Sequence, residues 1–541
     1  MRRPNVLVLM VDELRYPTVY DSKELKKWME EKLVAQRMLR KNGIEFERHY
    51  TMSSACAPSR TSIFTGEYPS LHGVTQTDGA AKSAWDPGMY WLDPNTVPTL
   101  GDWFKAAGYR TFYKGKWHIS HADILMPGSH DSLASTRSDG TQIERNVDYY
   151  AEANRLKEFG FDGWIGPEPH GRSQANSGWV RDKWFCKQAV DLLDALDESE
   201  DDTPWLLVNS YVNPHDIVFF GLMWQSFGYP FTDPSIPNIP PPPTATEDLS
   251  TKPICQASYI DVYPKMLLPQ PTVELYRQFY YYLQQTVDQY LVQVYERLMK
   301  SRFARDTIIV FTSDHGDMLG AHGGMHQKWY QAYEETIHVP LIVAGEPIPK
   351  TPRKITTLTS HADLAPTLLG LANVDIDAAR QQLERDHTET RRLVGRDLSA
   401  AILKGEAIEP EPVYFMTSDD VSRGLNELTA RKPYAPVVQP NNVETVVVDL
   451  DGVTWKYSRY FEPPDADGTD DKNPRPMYAE WELYNLTADP LETTNLAYAG
   501  NTTPLSETIR PQLQEILRQQ RLTKRLLPKG ERVTRAGGEG M

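Results

Sequence analysis

The chain has 541 residues, of which 40% are hydrophobic and 24% are charged. These proportions are typical of a globular protein with a large apolar core, and they exclude a chain that is disordered throughout. The 57 Lys and Arg residues against 73 Asp and Glu residues give a net charge of −16. A chain this acidic is a poor general binder of nucleic acid or anionic membranes, so an anionic substrate would need a local positive site.

The N-terminal apolar run at residues 6–11 predicts a buried strand rather than a signal peptide. It is short, has no small-residue cleavage site behind it and is followed directly by Asp12 and Glu13. No stretch approaches the roughly 18 apolar residues that a membrane span needs. The three cysteines, Cys56, Cys186 and Cys255, are an odd number and favour a reducing compartment over a disulfide framework. We therefore expect a cytoplasmic protein.

Strand-like and helix-like segments alternate through the first part of the chain. Continuous apolar runs at residues 6–11, 205–212 and 307–312 predict strands that are covered on both faces. Helix-length segments lie at residues 22–42, 182–197 and 273–300. In the last of these, apolar residues recur every three or four positions, as in an amphipathic helix that packs on a core. The alternation predicts an α/β fold with a large, mostly parallel sheet flanked by helices.

Two polar stretches interrupt this alternation. Residues 119–147 are rich in Gly, Ser and Asp, and residues 219–271 hold many prolines, including four in succession at 240–243. The proline run favours an extended polyproline conformation over a packed element. Each stretch is either a simple surface excursion or the rim of a substrate site, because long loops over a sheet often supply such rims.

The C-terminal part of the chain has a different pattern. After a helix-like apolar segment at 363–371, charged residues dominate from 375 to 396 and predict a boundary. Short β-type runs at 413–416, 444–449 and 454–459 then predict a small antiparallel sheet. We expect a large α/β domain over residues 1–375, a smaller α+β subdomain over 376–508 and a basic extension over 509–541. The extension either docks on its own domain or on a second subunit, or is a loose tail.

Candidate metal ligands follow the predicted strands. Asp12 and Asp314 each come after a buried apolar run, and the carboxyl ends of parallel strands converge on one crevice, where open α/β sheets bind their ligands. His315 adds an imidazole beside Asp314. Carboxylates and an imidazole without a cluster of thiolates suit one hard or borderline divalent cation.

The most informative stretch is Cys56-Ala57-Pro58-Ser59-Arg60, which is followed by Thr-Gly at 65–66. A lone cysteine is most often a packed thiol. Here further motifs follow in order: Gly-Lys-Trp-His at 115–118, Asn-Pro-His at 213–215, Ser-Asp-His-Gly-Asp at 313–317, Glu-Leu-Tyr-Asn-Leu at 482–486 and Asp-Pro-Leu-Glu at 489–492. Together they resemble the sulfatase family of the alkaline phosphatase superfamily, over residues 4 to about 497.

The resemblance implies that Cys56 is oxidised to formylglycine, an aldehyde that hydrates to a geminal diol. One hydroxyl attacks the sulfur or phosphorus of an ester, and loss of the proton of the second hydroxyl then releases sulfate or phosphate. A formylglycine-generating enzyme or another maturase would be the partner that modifies Cys56.

The resemblance also assigns roles to individual residues. Asp12, Asp314, His315 and a diol oxygen at position 56 would bind the metal ion, either Ca²⁺ or Mn²⁺, with Glu13 as a weaker candidate. Arg60 would orient the diol.

The remaining candidates surround the ester. Lys116, His118, His215 and Lys328 would supply positive charge and hydrogen-bond donors to the tetrahedral anion. His118 would take the proton of the diol, and His215 with Lys328 would contact the substrate and assist the leaving oxygen. Tyr109 and Thr111 precede the Gly-Lys-Trp-His motif, and they either line the pocket or pack within a strand.

Two positions depart from the sulfatase pattern, which commonly has a second Asp where Glu13 stands and often Asn where His315 stands. An Asp-His pair with a softer metal such as manganese resembles the phosphonate monoester hydrolases and phosphodiesterases, which also use formylglycine and are commonly multimeric. The retained Gly-Lys-Trp-His motif favours a sulfate ester hydrolase.

We therefore predict an arylsulfatase-like enzyme that is promiscuous towards phosphodiesters and phosphonate monoesters. We expect it to act on small-molecule esters as a homodimer or homotetramer. Phosphonate monoester hydrolysis as the main activity is the alternative. A catalytically inactive anion-binding protein on the same scaffold is the third interpretation.

Overall fold

The structure is a computed structural model that describes residues 3–169, 171, 173–221, 228–229, 233–267, 270–350, 353–425, 433–462 and 479–524. Its strands are β1 (Asn5–Asp12), β2 (Gly43–Phe46), β3 (His49–Tyr50), β4 (Arg110–Gly115), β5 (Trp205–Pro214), β6 (Thr307–Ser313), β7 (Leu341–Ala344), β8 (Arg353–Ile355), β9 (Thr359–Ser360), β10 (Val413–Thr417), β11 (Asn442–Leu450), β12 (Val453–Phe461) and β13 (Ala479–Asn485). Its helices are α1 (Lys23–Lys32), α2 (Val34–Lys41), α3 (Cys56–Thr65), α4 (Pro69–His72), α5 (Leu100–Ala106), α6 (Glu144–Ala153), α7 (Gly178–Glu198), α8 (Ile254–Met266), α9 (Glu274–Met299), α10 (Ala321–Gly324), α11 (Glu334–Ile337), α12 (Leu364–Leu371), α13 (Ile376–Leu383), α14 (Ser399–Lys404) and α15 (Pro504–Lys524).

The central sheet has seven strands in the order β4-β5-β1-β6-β7-β2-β8. Strands β4, β5, β1 and β6 are parallel neighbours, whereas β7 runs antiparallel to both β6 and β2. The three predicted apolar strands are β1, β5 and β6, which lie side by side in the middle of the sheet. The prediction of a large, mostly parallel sheet flanked by helices is confirmed.

Both faces of the central strands are covered, which explains their uninterrupted apolar sequences. On β1, Val6, Val8 and Met10 belong to one core, and Leu7 and Leu9 belong to a second core on the opposite face. Helices α7 and α9 cover the second face. None of the helices in the described ranges is both long enough and apolar enough to cross a bilayer.

Two helix predictions need correction. The segment 22–42 forms two helices, α1 and α2, that are separated at Leu33. The proline-rich stretch 219–271, where no helix was predicted, contains α8, which buries Cys255, Tyr259 and Tyr263 at intervals of four residues. Pro264 lies inside α8, and the helix ends two residues after it, as is usual once a helix contains a proline.

The C-terminal sheet is antiparallel in the order β10-β11-β12-β13. Its first three strands were predicted, and the fourth, β13, carries the first part of the Glu-Leu-Tyr-Asn-Leu motif. Helices α13 and α14 lie beyond the boundary expected at residue 375, yet Leu383 and Ile402 are buried in the core of the central sheet. Both helices therefore pack against the core of the central sheet, and the domain bounds stay a prediction.

Helix α15 shows how the basic C-terminal segment begins. It starts at Pro504, before the expected start of the extension at residue 509. Leu513 and Leu517 are buried in a core that also contains residues of β10 and β11, and Arg521 donates to Glu444 of β11 at 2.9 Å. This part docks on its own C-terminal sheet, whereas residues 525–541 lie outside the described residues.

Candidate active site

The candidate site lies at the carboxyl ends of three adjacent strands. Val11 of β1 pairs with Ser313 of β6, and Asp12 pairs with Pro214 of β5. The residues that follow these pairs, Asp314 and His215, are therefore brought to the edge of the sheet where Asp12 ends β1. This is the edge at which parallel α/β sheets place their ligands.

Cys56 faces these strand ends from the first position of α3. Its Sγ lies 3.1 Å from Nε2 of His315 and 3.6 Å from Oδ1 of Asp12. Ligand atoms of Asp12, Cys56, Asp314 and His315 all lie within 4.8 Å of one another. All four residues are buried. Four of the five sequence-predicted metal ligands therefore form one cluster, and Glu13 lies outside it.

Arg60 lies one helical turn after Cys56 and joins several parts of the site. Its guanidinium donates to Oδ2 of Asp12 at 2.9 Å and to Oδ2 of Asp314 at 2.8 Å. It also donates to the carbonyl of Lys116 at 2.8 Å and to the hydroxyl of Ser210 at 2.9 Å. Through these contacts Arg60 holds the two aspartates, and its predicted role towards a diol at position 56 stays a prediction.

Two lysines reach the same cluster. Nζ of Lys116 lies 2.7 Å from Oδ2 of Asp12, and Nζ of Lys328 lies 3.0 Å from Oε2 of Glu13. Glu13 has a φ of 70° and its backbone N–H donates to Oδ1 of Asp314. Asp12, Glu13 and His215 form a second group whose ligand atoms lie within 4.8 Å of one another.

Burial and charge set the protonation of the acidic ligands. Burial raises the pKa of Asp12, but Lys116 and Arg60 more than offset this, so that the pKa lies well below its usual value. Burial raises the pKa of Glu13 well above its usual value, and Lys328 offsets only part of the effect. Asp12 is thus held as a carboxylate, while Glu13 favours the protonated form and is the poorer ligand.

The nitrogen and sulfur groups favour their neutral forms. Burial lowers the pKa values of His315 and His215, which keeps each imidazole able to donate an electron pair. Burial, followed by the charge of Asp12, raises the pKa of the Cys56 thiol far above its usual range. The buried donor set of carboxylates and a neutral imidazole fits a divalent cation.

His118 lies on the side of the site reached by the Gly-Lys-Trp-His loop. It has a φ of 61°, its backbone N–H donates to Oε1 of Glu168 at 2.8 Å, and its Nε2 lies 2.7 Å from Oδ1 of Asp78. The sequence analysis missed Asp78 and Glu168. Both lie 40 to 50 residues from His118 along the chain and belong to none of the motifs.

Comparison with known proteins identifies the family. A family model described as Sulfatase matches residues 4–374. The chain belongs to the sulfatase family. It is 26% identical to a choline-sulfatase of Rhizobium meliloti (strain 1021), over 92% of this chain and 82% of that protein. It is also 26% identical to the iduronate 2-sulfatase of Mus musculus, over 94% of this chain and 93% of that protein.

The fold of this sulfatase is shared with a second group of enzymes. The phosphonate monoester hydrolase of Agrobacterium radiobacter superposes with a TM-score of 0.62 and 18% identity, and the match covers 97% of each chain. At this identity the likeness shows a common fold.

Tyr109 and Thr111 are not part of the sulfatase site. Thr111 and Val6 both pair with Leu206 of β5, so Thr111 is level with the start of β1. At about 3.3 Å per residue it lies roughly 20 Å from Asp12. Thr111 donates to the carbonyl of Gly160, and the hydroxyl of Tyr109 donates to the carbonyl of Pro4. Both residues pack within the fold, which was the other interpretation of their sequence position.

Residues of the C-terminal motif of this sulfatase stabilise the loop that carries Lys328. Glu482 accepts hydrogen bonds from the hydroxyls of Tyr333, Tyr460 and Tyr484. Nζ of Lys456 lies 2.8 Å from Oε1 of Glu334 and 2.8 Å from Oε1 of Glu492, and so links the two glutamates. Because residues 333 and 334 follow Lys328 in the chain, these bonds tie the loop that carries Lys328 to the C-terminal sheet.

Proposed function

We propose that this sulfatase hydrolyses sulfate monoesters of the arylsulfatase type, with a formylglycine derived from Cys56 as nucleophile and one divalent cation as cofactor. The carrying observation is the position of Cys56, which is buried within 4.8 Å of Asp12, Asp314 and His315. Family membership supports the class of ester, because the similar proteins named above include a choline-sulfatase and an iduronate 2-sulfatase.

The state of the thiol supports conversion of Cys56. A thiol attacks as its thiolate, and the raised pKa of Cys56 keeps the unmodified residue neutral. A hydrated aldehyde would supply a hydroxyl nucleophile at the same position. We also propose that a formylglycine-generating enzyme or another maturase carries out this conversion.

The proposed cation would be held by Asp12, Asp314 and His315 together with the side chain at position 56. When bound, it would supply Lewis-acid chemistry that neutralises negative charge on the ester. Arg60 contributes by fixing both carboxylates through separate nitrogen atoms. Glu13 remains the weaker ligand candidate because it is paired with Lys328 and favours its protonated form.

Cationic and hydrogen-bonding side chains surround the proposed position of the ester. Lys116 lies beside Asp12, and Lys328 and His215 lie on the side of Glu13. Such donors stabilise the charge that develops on the tetrahedral centre, and removal of one typically costs about 3 to 4 kcal/mol of barrier. We propose that His215 and Lys328 assist the leaving oxygen and that His118, held by Asp78, accepts the proton of the nucleophilic group.

Phosphonate monoester and phosphodiester hydrolysis is the second candidate. The observation that favours it is His315, whose imidazole stands in the metal cluster 3.1 Å from Sγ of Cys56. Sulfate monoesters and phosphodiesters are both monoanions, so a site that complements one charge can accept the other. Dianionic phosphomonoesters should be the poorest substrates.

The test is a kinetic comparison of an aryl sulfate, a phosphodiester and a phosphonate monoester on metal-free protein reloaded with Ca²⁺ or Mn²⁺. Mass spectrometry of the Cys56 peptide should show a residue about 18 Da lighter than cysteine before hydration. We expect the aryl sulfate to be preferred and Cys56→Ala to abolish turnover. Activity in Cys56→Ala, or full activity with an unmodified thiol, would contradict the proposed nucleophile.

The assembly and compartment of the protein are also proposals. The acidic chain and its three unpaired, buried cysteines are consistent with a cytoplasmic enzyme. We propose a homodimer or homotetramer, which native mass spectrometry of the purified protein would test.

A further inference from the structure

A cleft of about 770 Å³ is lined by residues that contact His118. Its size lies within the range of small-molecule binding sites. Six of the residues that line it matter for its chemistry: Asp78, Trp85, Trp91, His121, Asp123 and Glu168. None of them belongs to the metal cluster or to the motifs that identify the family.

Three lining residues connect the cleft to the proposed catalytic centre. Asp78 lies 2.7 Å from Nε2 of His118, and Glu168 accepts the backbone N–H of the same residue. The ring of Trp91 lies 5.7 Å from that of His118. Lys116, two residues earlier in the chain, contacts Asp12. The cleft therefore lies next to His118, whose loop also brings Lys116 to Asp12.

One wall of the cleft is aromatic. The ring of Trp85 stacks on His121 with centroids 4.2 Å apart and on His130 with centroids 4.6 Å apart. Trp91 lies 5.4 Å from His121 and continues the wall towards His118. Trp85 is 39% exposed, so part of its indole remains accessible. Aromatic side chains of this kind bind flat, amphipathic rings.

The polar part of the cleft is acidic. Asp78 and Asp123 contribute carboxylates, and of the described lining side chains only Arg155 is a permanent cation. The guanidinium of Arg155 donates to the carbonyls of Ala122 and His121. The cleft therefore offers little to compensate a second negative charge on a ligand, which the carboxylates would repel.

We propose that this cleft binds the alcohol part of the ester and selects a ring-bearing alcohol that carries no further negative charge. The inference rests on the proposed function, because the ester must be held at Cys56 for its alcohol to project past His118. The sulfate would bind among the lysines, the ring would lie against Trp85, and Asp78 and Asp123 would exclude esters with an additional carboxylate or sulfate.

Two fluorogenic esters with matched leaving groups test the charge selection. One is the sulfate of 7-hydroxy-4-methylcoumarin, and the other is the sulfate of 7-hydroxycoumarin-4-acetic acid, which adds one remote carboxylate. We expect kcat/KM to be about tenfold lower for the acid, mainly through KM, because of repulsion in the cleft. Equal kcat/KM values, or a preference for the acid, would overturn the charge selection.

Trp85→Ala tests the aromatic wall, with Tyr90→Ala as its matched control. Tyr90 is 64% exposed on the same segment and is not among the residues that line the cleft. For the methylcoumarin sulfate, which has no carboxylate, we expect KM to rise about five- to tenfold in Trp85→Ala, with kcat within twofold of wild type. Inhibition by inorganic sulfate should not change. An unchanged KM, or an equal rise in Tyr90→Ala, would refute the assignment.

Binding of the free alcohol separates this proposal from the proposed function. If no sulfate ester is hydrolysed, the proposed function fails, but the cleft can still be tested by titration with 7-hydroxy-4-methylcoumarin. We expect Trp85→Ala to bind this coumarin about fivefold more weakly than wild type and Tyr90→Ala to bind it normally. Equal binding by wild type and Trp85→Ala would overturn the aromatic subsite.

Discussion

The candidate metal site of Asp12, Cys56, Asp314 and His315 and the cleft lined by Trp85 stand on different kinds of structural element. The cluster stands on the ends of β1 and β6 and the start of α3, and Arg60 ties its carboxylates together inside the protein. The cleft is lined from segments between α4 and α5, between β4 and α6 and between α6 and α7, and its Trp85 is partly exposed. The candidate metal ligands thus stand at the ends of regular elements, whereas the residues of the proposed alcohol subsite stand mainly on loops.

The largest effect on stability is expected when Arg60, which binds both Asp12 and Asp314, is removed. Arg60→Ala leaves the buried carboxylates of Asp12 and Asp314 without their shared partner. Removal of one partner from a buried ion pair costs about 3 to 5 kcal/mol, so we expect a loss of this size in the free energy of unfolding. Urea unfolding near neutral pH would measure it, and hydrolysis should fall as well.

The control for Arg60 is a surface arginine. Arg110→Ala removes an exposed pair with Asp201, whose N–O distance is 3.1 Å. Exposed pairs contribute at most about 1 kcal/mol, so this variant should unfold almost as wild type does. Similar losses in the free energy of unfolding of both variants would mean that Arg60 does not stabilise the buried carboxylates of the site.

A smaller effect is expected at Glu168, which joins the two regions. Burial, and then the neighbouring Asp123, raise the pKa of Glu168 from 4.5 to about 8. Between these values the folded protein holds a proton that the unfolded chain has lost, so the free energy of unfolding falls as pH rises through this window. Glu168→Gln imitates the protonated side chain, so its free energy of unfolding should fall less as pH rises. At the upper end of the pH window we expect the two proteins to differ in this fall by on the order of 1 to 3 kcal/mol.

Urea unfolding of wild type and Glu168→Gln at several pH values measures this difference. The two proteins should be most alike near the lower end of the window and differ most near the upper end. A stability difference that stays constant with pH would show that Glu168 does not carry the buried proton.

The smallest effect is expected at Asp78, which contacts His118 from the wall of the cleft. Asp78→Asn keeps the shape of the side chain but removes its charge. We expect kcat to fall about tenfold, which is less than the 10²- to 10⁴-fold that general acid–base catalysis contributes as a whole. Steady-state kinetics on an aryl sulfate with no further charged group would measure the loss, and KM should change little.

A double variant decides whether Asp78 acts through His118. In a His118→Ala background, Asp78→Asn should cause almost no further loss, because effects that act through one group are not additive. A full tenfold loss in that background would place Asp78 in an independent role.

The central strands and the metal cluster were predictable because short stretches of sequence specify them. Strands β1, β5 and β6 are buried on both faces, so each is a continuous apolar run that few other structures require. The residues that follow them reach a common edge for a topological reason that holds for parallel sheets in general. The strand ends and one motif were therefore enough to predict the positions of Asp12, Asp314, His315 and Cys56.

Local sequence was less informative where packing overrides composition. Helix α8 was hidden among prolines, although its buried residues recur at helical spacing. Tyr109 and Thr111 are close to the Gly-Lys-Trp-His motif in sequence but not in space, because each residue of an extended strand adds about 3.3 Å to the distance from the site.

The sequence by itself therefore determined the class of fold, the family and the candidate ligands at the ends of the strands, since each depends on a local pattern or on its order in the chain. Only the tertiary structure decided that Arg60 binds Asp12 and Asp314, that Asp78 and Glu168 hold His118, and that Trp85 lines a neighbouring cleft. These contacts join residues distant in sequence through single polar or aromatic side chains. No periodicity or spacing marks such contacts, because they arise from how the loops pack above the sheet.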